Sequence, residues 1–182
     1  GAYLALALLA LVSLVVISAI DFPPVPEKTA HADHGRPLAD IIRQPVFMVA
    51  ALAASVSYGV MNLLMAATPL AMQVCGMPFS DTALVLEWHV IGMFAPGFVT
   101  GSLIKRFGVL NVMGVGVLLN LVCITIAISG TDLHYFVSAS FLLGVGWNFL
   151  FTGSTTLSLD AYWPEEKDRA QAAINFCVFA VM

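Results

Sequence analysis

The run Val109-Leu110-Asn111-Val112-Met113-Gly114-Val115-Gly116-Val117-Leu118-Leu119-Asn120-Leu121-Val122-Cys123-Ile124-Thr125-Ile126-Ala127-Ile128 decides the fold. It carries no formal charge. As a helix rising about 1.5 Å per residue it is about 30 Å long, the thickness of a bilayer's hydrocarbon core. Five more apolar stretches lie around it: Tyr3–Ile20, Val46–Met72, Thr82–Ile104, Leu133–Leu159 and Ala170–Met182. Together the six hold one formal charge, Glu87, while every other charge falls in the short connections between them. In chain order the first, third and fourth come close to the roughly 20 residues that an untilted span takes. The second and fifth are longer and span with tilt. The sixth makes only about 20 Å of helix and reads as truncated. The fold class that follows is all-α integral membrane: a polytopic transmembrane helix bundle of six segments.

Composition removes the rival classes. Charged residues are 10% of the chain and hydrophobic ones 60%, where a soluble domain carries about 25% charge. The net charge is −4, with no basic patch beside it, so no nucleic-acid partner is expected. Cys75, Cys123 and Cys177 are odd in number and match no disulfide framework or metal spacing. Nucleophile-elbow, P-loop and HExxH patterns are missing, which argues against an enzyme, and no cofactor is implied. The scrap His31-Ala32-Asp33-His34 is too short and exposed to hold a metal and reads as solvated linker. Without an initiator Met or a basic n-region before Tyr3, the first stretch does not read as a signal peptide. The chain reads as an internal piece of a longer protein, whose remaining helices would be its partners.

The loops set the topology. Basic residues number 3, 0, 2, 0 and 2 in the five connections: Lys28, Arg36 and Arg43 in the first, Lys105 and Arg106 in the third, Lys167 and Arg169 in the fifth. Basic loops are retained on the cytoplasmic side, so loops 21–44, 104–108 and 160–169 are placed inside. Pro45 suits the first position of the second helix. Ser80 and Asp81 suit the start of the third as cap and dipole partner. Pro69 and Pro96 fall inside helices and predict kinks. Tyr162 and Trp163 suit the inner interface. The long first loop begins Pro-rich and ends in Leu38-Ala39-Asp40-Ile41-Ile42, a short amphipathic run suited to the membrane surface.

Polar residues inside spans are costly and each calls for a role. On the second helix Ser55, Tyr58, Asn62, Met65 and Pro69 fall within about 80° at 100° per residue. The fifth helix has a similar face of Ser140, Gly144, Asn148, Phe151, Thr155 and Ser158, with Trp147 beside it. Gln171 and Asn175 lie one turn apart on the sixth. Two readings stay open: these groups bond across helices and hold the bundle, or they line a polar cavity. Glu87 and His89 are the titratable pair of the third helix and the proton-coupling candidates. Spaced two residues apart, they point about 160° from each other.

The stretch Gly97-Phe98-Val99-Thr100-Gly101-Ser102-Leu103-Ile104-Lys105-Arg106-Phe107-Gly108 carries the most specific local motif. Its Gly97/Gly101 pair suits close helix approach. It resembles the G-x-L-x-D-R-x-G signature of the major facilitator superfamily, matched at Gly101, Leu103, Arg106 and Gly108. Lys105 replaces the motif's Asp, so that Asp's charge-relay role does not carry over. The Tyr162–Ala170 stretch resembles the family's loop between its tenth and eleventh helices, and Arg36-Pro37-Leu38 through Pro45-Val46-Phe47 resembles the end of its central loop.

The resemblance implies three divisions. Residues 1–20 would be the family's sixth helix, 21–44 its cytoplasmic central loop, and 45–182 a second-half bundle of helices seven to eleven, incomplete. It further implies a secondary active transporter moving a small solute across the bacterial inner membrane by alternating access. The family's seventh and tenth helices line its central cavity, with the eighth and eleventh beside them, which makes Tyr58, Asn62, His89, Trp147, Asn148 and Asn175 the substrate-cavity candidates. That transporter would be monomeric, with Glu87 or His89 coupling it to protons. The alternative is a non-transporting polytopic protein, a receptor or regulatory membrane subunit.

Overall fold

The computed structural model describes residues 2–20 and 35–182. The Pro-rich start of the first connection and His31-Ala32-Asp33-His34 lie outside the described residues. Every regular element among the described residues is helical. Helix α1 (Ala2–Ser18) stands as a unit of its own. Its 17 residues lie at the lower end of the roughly 17–25 that a transmembrane helix takes. Ser13 and Ser18 donate to the Leu9 and Val15 carbonyls at 2.9 and 2.8 Å, which hides their hydroxyls from a lipid-facing surface.

The second unit contains α2 (Leu38–Ile42), α3 (Pro45–Val74), α4 (Phe79–Phe94), α5 (Gly97–Phe107), α6 (Val109–Ala127), α7 (Leu133–Ser158) and α8 (Lys167–Val181). Helices α3, α6 and α7 are long and apolar enough to cross a membrane, and α4 and α5, bent by 40° at the break between them, are so when taken together. Pro45 occupies the first turn of α3 as expected. Pro96 breaks the third span, because it has no N–H to donate and its ring clashes one turn back. Pro69 leaves α3 helical from Pro45 to Val74.

Several boundaries differ from the sequence reading. Pro78, not Ser80, precedes α4, and no side chain caps that end. The third connection is not an open loop: α5 runs through Phe107, Lys105 and Arg106 sit in its last turn, and Gly108 alone links it to α6. Gly108 has φ +85°, a left-handed backbone that glycine adopts without steric cost. Lys105 and Arg106 there complement the negative end of the helix dipole. The fifth connection is two short 3₁₀ turns, Leu159–Ala161 and Pro164–Glu166, and α8 starts at Lys167. The amphipathic run does form α2, but Ile41 is fully buried with Phe47, Ala170 and Ile174. Ile41 is thus taken up by α3 and α8, while Ile42 beside it stays exposed.

Helix α7 is the hub, packed against α3, α4 and α6. Small residues let the backbones meet, since lipid-embedded helices gain from close packing rather than from water exclusion. A Cβ on Gly144 would lie 2.5 Å from the His89 carbonyl oxygen and 2.8 Å from the Met93 nitrogen. On the α6 side, a Cβ on Gly146 would lie 3.0 Å from the Gly116 carbonyl oxygen. The Gly97/Gly101 pair makes no such contact among the described residues: a Cβ on Gly101 meets nothing within 4 Å there, and one on Gly97 meets only the Asn148 amide at 3.6 Å.

This contrast is testable. Gly144→Ala should lower the thermal unfolding midpoint of the purified protein, with a cost of about 1–3 kcal/mol for overpacking a close contact. Gly101→Ala should leave the midpoint unchanged or raise it slightly, since alanine favours helix. Equal effects of the two substitutions would contradict this packing.

Candidate functional site

The polar stripes resolve into three kinds of contact. Most hydroxyls turn back onto their own helix: Ser55 donates to Ala51 at 2.7 Å, Ser158 to Thr155 at 2.7 Å, and Thr156 to Thr152 at 2.8 Å. Such bonds satisfy a hydroxyl without a neighbour.

Asn148 and His89 instead bond across helices. The Pro96 break leaves the Met93 carbonyl without its helical donor, and the Asn148 amide Nδ2 donates to it at 2.7 Å. The Thr100 hydroxyl, fully buried, donates to Asn148 Oδ1 at 2.7 Å. Asn148 therefore grips both sides of the bend with donor and acceptor together. His89 is 1% exposed, and its Nδ1 lies 2.8 Å from the Ser140 carbonyl oxygen of α7. That oxygen can only accept, which puts the proton on Nδ1 and leaves Nε2 as a bare acceptor. Nε2 has no hydrogen-bond partner among the described residues. Glu87 is exposed on another face of α4, and the two coupling candidates are not brought together.

The third kind is aromatic. Tyr58 of α3 meets Trp147 and Phe151 of α7 edge to face, with ring centroids 5.2 and 5.1 Å away. Trp147 and Phe151 are stacked at 5.1 Å and 10°. Trp147 is buried, Tyr58 and Phe151 are half-buried, and the Trp147 Nε1–H donor has no partner among the described residues. Tyr58 is the fourteenth of 30 residues in α3 and Trp147 the fifteenth of 26 in α7, so the cluster sits midway along both helices. One turn along α3 from Tyr58, Asn62 lines a groove of about 540 Å³ between α3 and the end of α8. Its Nδ2 donates to the Met182 carbonyl at 3.2 Å. Asn175 is exposed on α8. Of the six cavity candidates, only Tyr58 and Trp147 are brought into one cluster. Phe151, assigned to the polar face but not to the site, completes it. Its i+4 spacing from Trp147 was the signal available for it.

A buried ion pair lies at the end of α7, where the sequence had suggested only a charged loop. Glu166 is fully buried and accepts four bonds. Three come from Arg36, through its backbone N–H at 2.6 Å, Nε at 3.1 Å and Nη2 at 2.8 Å, and one from the Trp163 backbone N–H at 3.0 Å. Arg36 Nη2 also donates to the Ala161 carbonyl at 3.1 Å, beside Gln44 Nε2 at 2.8 Å. The Trp163 ring lies 4.8 Å from the Arg36 guanidinium, within cation–π range. The Arg36 hydrogen bonds, helped by the two backbone N–H groups and opposed by burial, bring the Glu166 carboxyl from 4.5 to about 2. The same contact raises Arg36.

Because the folded carboxyl holds its proton less tightly than the unfolded one, this stabilisation is complete above pH 4.5 and lost as pH falls toward 2. Glu166→Gln should therefore lower the unfolding midpoint at neutral pH and flatten its acid dependence over that window. A variant whose acid unfolding curve keeps the wild-type shape would refute the assignment.

Comparison with known proteins follows this geometry. The sequence model of the Major Facilitator Superfamily matches residues 1–182. The chain is 39% identical to the riboflavin transporter RfnT of Brucella anthropi over 183 aligned residues, covering 100% of this chain and 46% of that protein. It is 31% identical over 130 residues to the MFS-type transporter YddS of Bacillus subtilis, covering 70% of this chain and 30% of that one. YdeG of the same organism, also an MFS-type transporter, is 30% identical over 121 residues, covering 65% and 28%. The chain thus spans less than half the length of the curated relatives it matches. No solved structure gives a significant match. Apolar helices of spanning length, Gly-mediated packing around α7 and a family match from the first residue to the last lead to one assignment: this chain belongs to the Major Facilitator Superfamily, a family of non-enzymatic membrane carriers.

Proposed function

We propose that this chain forms the end of the first half, the central loop and most of the second half of a secondary active transporter that carries a flat, neutral aromatic solute of the flavin class across the bacterial inner membrane by alternating access. In this reading α1 is the sixth helix of the full protein, residues 21–44 are the central loop, and α3 to α8 supply helices seven to eleven. Loops 21–44, 104–108 and 160–169 face the cytoplasm, and the protein works as a monomer.

The observation that carries the reading is the ring cluster of Tyr58, Trp147 and Phe151 midway along α3 and α7. Sites of secondary transporters lie near the bilayer midplane, and aromatic faces bind planar heterocycles by offset stacking. The buried Trp147 Nε1–H, unpartnered among the described residues, is a donor waiting for an acceptor, and the isoalloxazine ring offers carbonyl and ring-nitrogen acceptors. Identity of 39% with a riboflavin transporter across the whole chain supports the same substrate class. His89, with its free Nε2 acceptor between α4 and α7, takes the coupling proton in preference to exposed Glu87.

Flux of labelled riboflavin into proteoliposomes of the full-length protein tests this. Trp147→Phe keeps the ring and removes the N–H, so KM should rise about tenfold, the worth of one buried hydrogen bond. His89→Gln should abolish uptake driven by a pH gradient and preserve exchange across equal pH, while Glu87→Gln should preserve both. Binding without flux would identify a receptor instead, and unchanged kinetics in Trp147→Phe would remove the cluster from the site.

A further inference from the structure

A second concave feature lies away from the ring cluster, where α5, α6 and α7 meet. Leu103 and Phe107 of α5, Asn111, Val112 and Val115 of α6, and Phe149 of α7 line a groove of about 480 Å³. Its walls are apolar apart from Asn111, whose Nδ2 donates to the Phe107 carbonyl at 2.8 Å and so closes the end of α5. On α6 its lining runs for roughly 6 Å, from Asn111 to Val115, by helical rise.

Charge is concentrated at one end of it. Lys105 and Arg106 are exposed, and neither is in the one ion pair found among the described residues. The Arg106 guanidinium lies 5.3 Å from the ring of Phe107, itself a groove wall, which holds a fixed cation at the mouth. No acidic residue occurs between Glu87 and Asp132, so nothing on α5 or α6 offsets this pair. A cationic mouth opening on an apolar channel along a membrane-spanning helix matches an amphiphile with an anionic head and a hydrocarbon tail.

We propose that this groove is a binding site for an anionic phospholipid, with its phosphate on Lys105 and Arg106 and one acyl chain lying between Phe107, Val115 and Phe149. The bound lipid fills the space between α5 and α6 and ties the Gly108 turn to the membrane surface.

Native mass spectrometry of the full-length protein, released from detergent with added phosphatidylglycerol or phosphatidylethanolamine, tests the site. The wild type should retain phosphatidylglycerol in preference, and excess inorganic phosphate should not displace it. Lys105→Gln with Arg106→Gln should weaken phosphatidylglycerol retention by about 30-fold, the worth of two surface cations against an anionic headgroup. Both positions are exposed, so the fold should survive. Val115→Trp, which fills the channel, should reduce retention of both lipids. Equal retention of the two lipids by the wild type, or an unchanged preference in the double variant, would overturn the proposal. Loss of lipid to inorganic phosphate would also overturn it, because the acyl chain would then contribute nothing. If another helix of the full-length protein covers the groove, neither lipid is retained, and the proposal fails.

Discussion

The structure depends on how closely the backbone of α7 can be approached. In lipid there is no water to expel from between helices, so association rests on packing density and on the few polar groups that bond across the contact. Gly144 lets α4 come in at His89 and Met93, and Gly146 lets α6 come in at Gly116. Two neighbours are thereby fixed on a single helix within one turn of each other. This proximity also places the polar contacts. Asn148 reaches the Met93 carbonyl, and His89 reaches Ser140, because no side chain separates the two backbones. A bulkier α7 would keep its helices but lose both bonds, leaving a carbonyl and an imidazole unsatisfied in hydrocarbon, which is costly.

How much was legible beforehand depends on whether a signal was local. Apolar length and loop charge are local, and six helical segments were readable from them. Pro45 and Pro96 act on their own helix and were readable too. Close packing is not local. Gly97/Gly101 and Gly92/Gly144 are alike as small residues in apolar runs, and only the register between α4 and α7 decides which meet a backbone. Ser80 failed as a cap for a related reason: the chain enters α4 earlier, directly after Pro78, and no side chain caps that end. The polar face of α7 was located correctly by periodicity, but periodicity cannot tell a hydroxyl bonded to its own helix from one offered to a ligand. Glu166 was hidden because its partner, Arg36, lies 130 residues earlier.

The two central polar features of the bundle make different use of the low dielectric. Asn148 has its donor and acceptor both engaged and acts as a fixed brace across the Pro96 bend. Trp147, its chain neighbour, points its ring elsewhere and holds a donor that meets no protein acceptor among the described residues. Adjacent residues on a helix project about 100° apart, so a single turn of α7 serves packing on one side and presents ring chemistry on the other. Function and architecture are thus separated by angle more than by position along the helix.

The buried contact of Arg36 with Glu166 changes where a pull on the chain is felt. Gly35 and Arg36 are fastened to the corner between α7 and α8, and Gln44 is fastened to Ala161 in the same corner. A pull arriving from the amino-terminal side of Gly35 is therefore borne first at Glu166 and Ala161, before it can reach Pro45 and the start of α3. Between these two anchors α2 is held as well, through fully buried Ile41. The second unit therefore takes such a pull at the corner between α7 and α8 rather than at the start of α3.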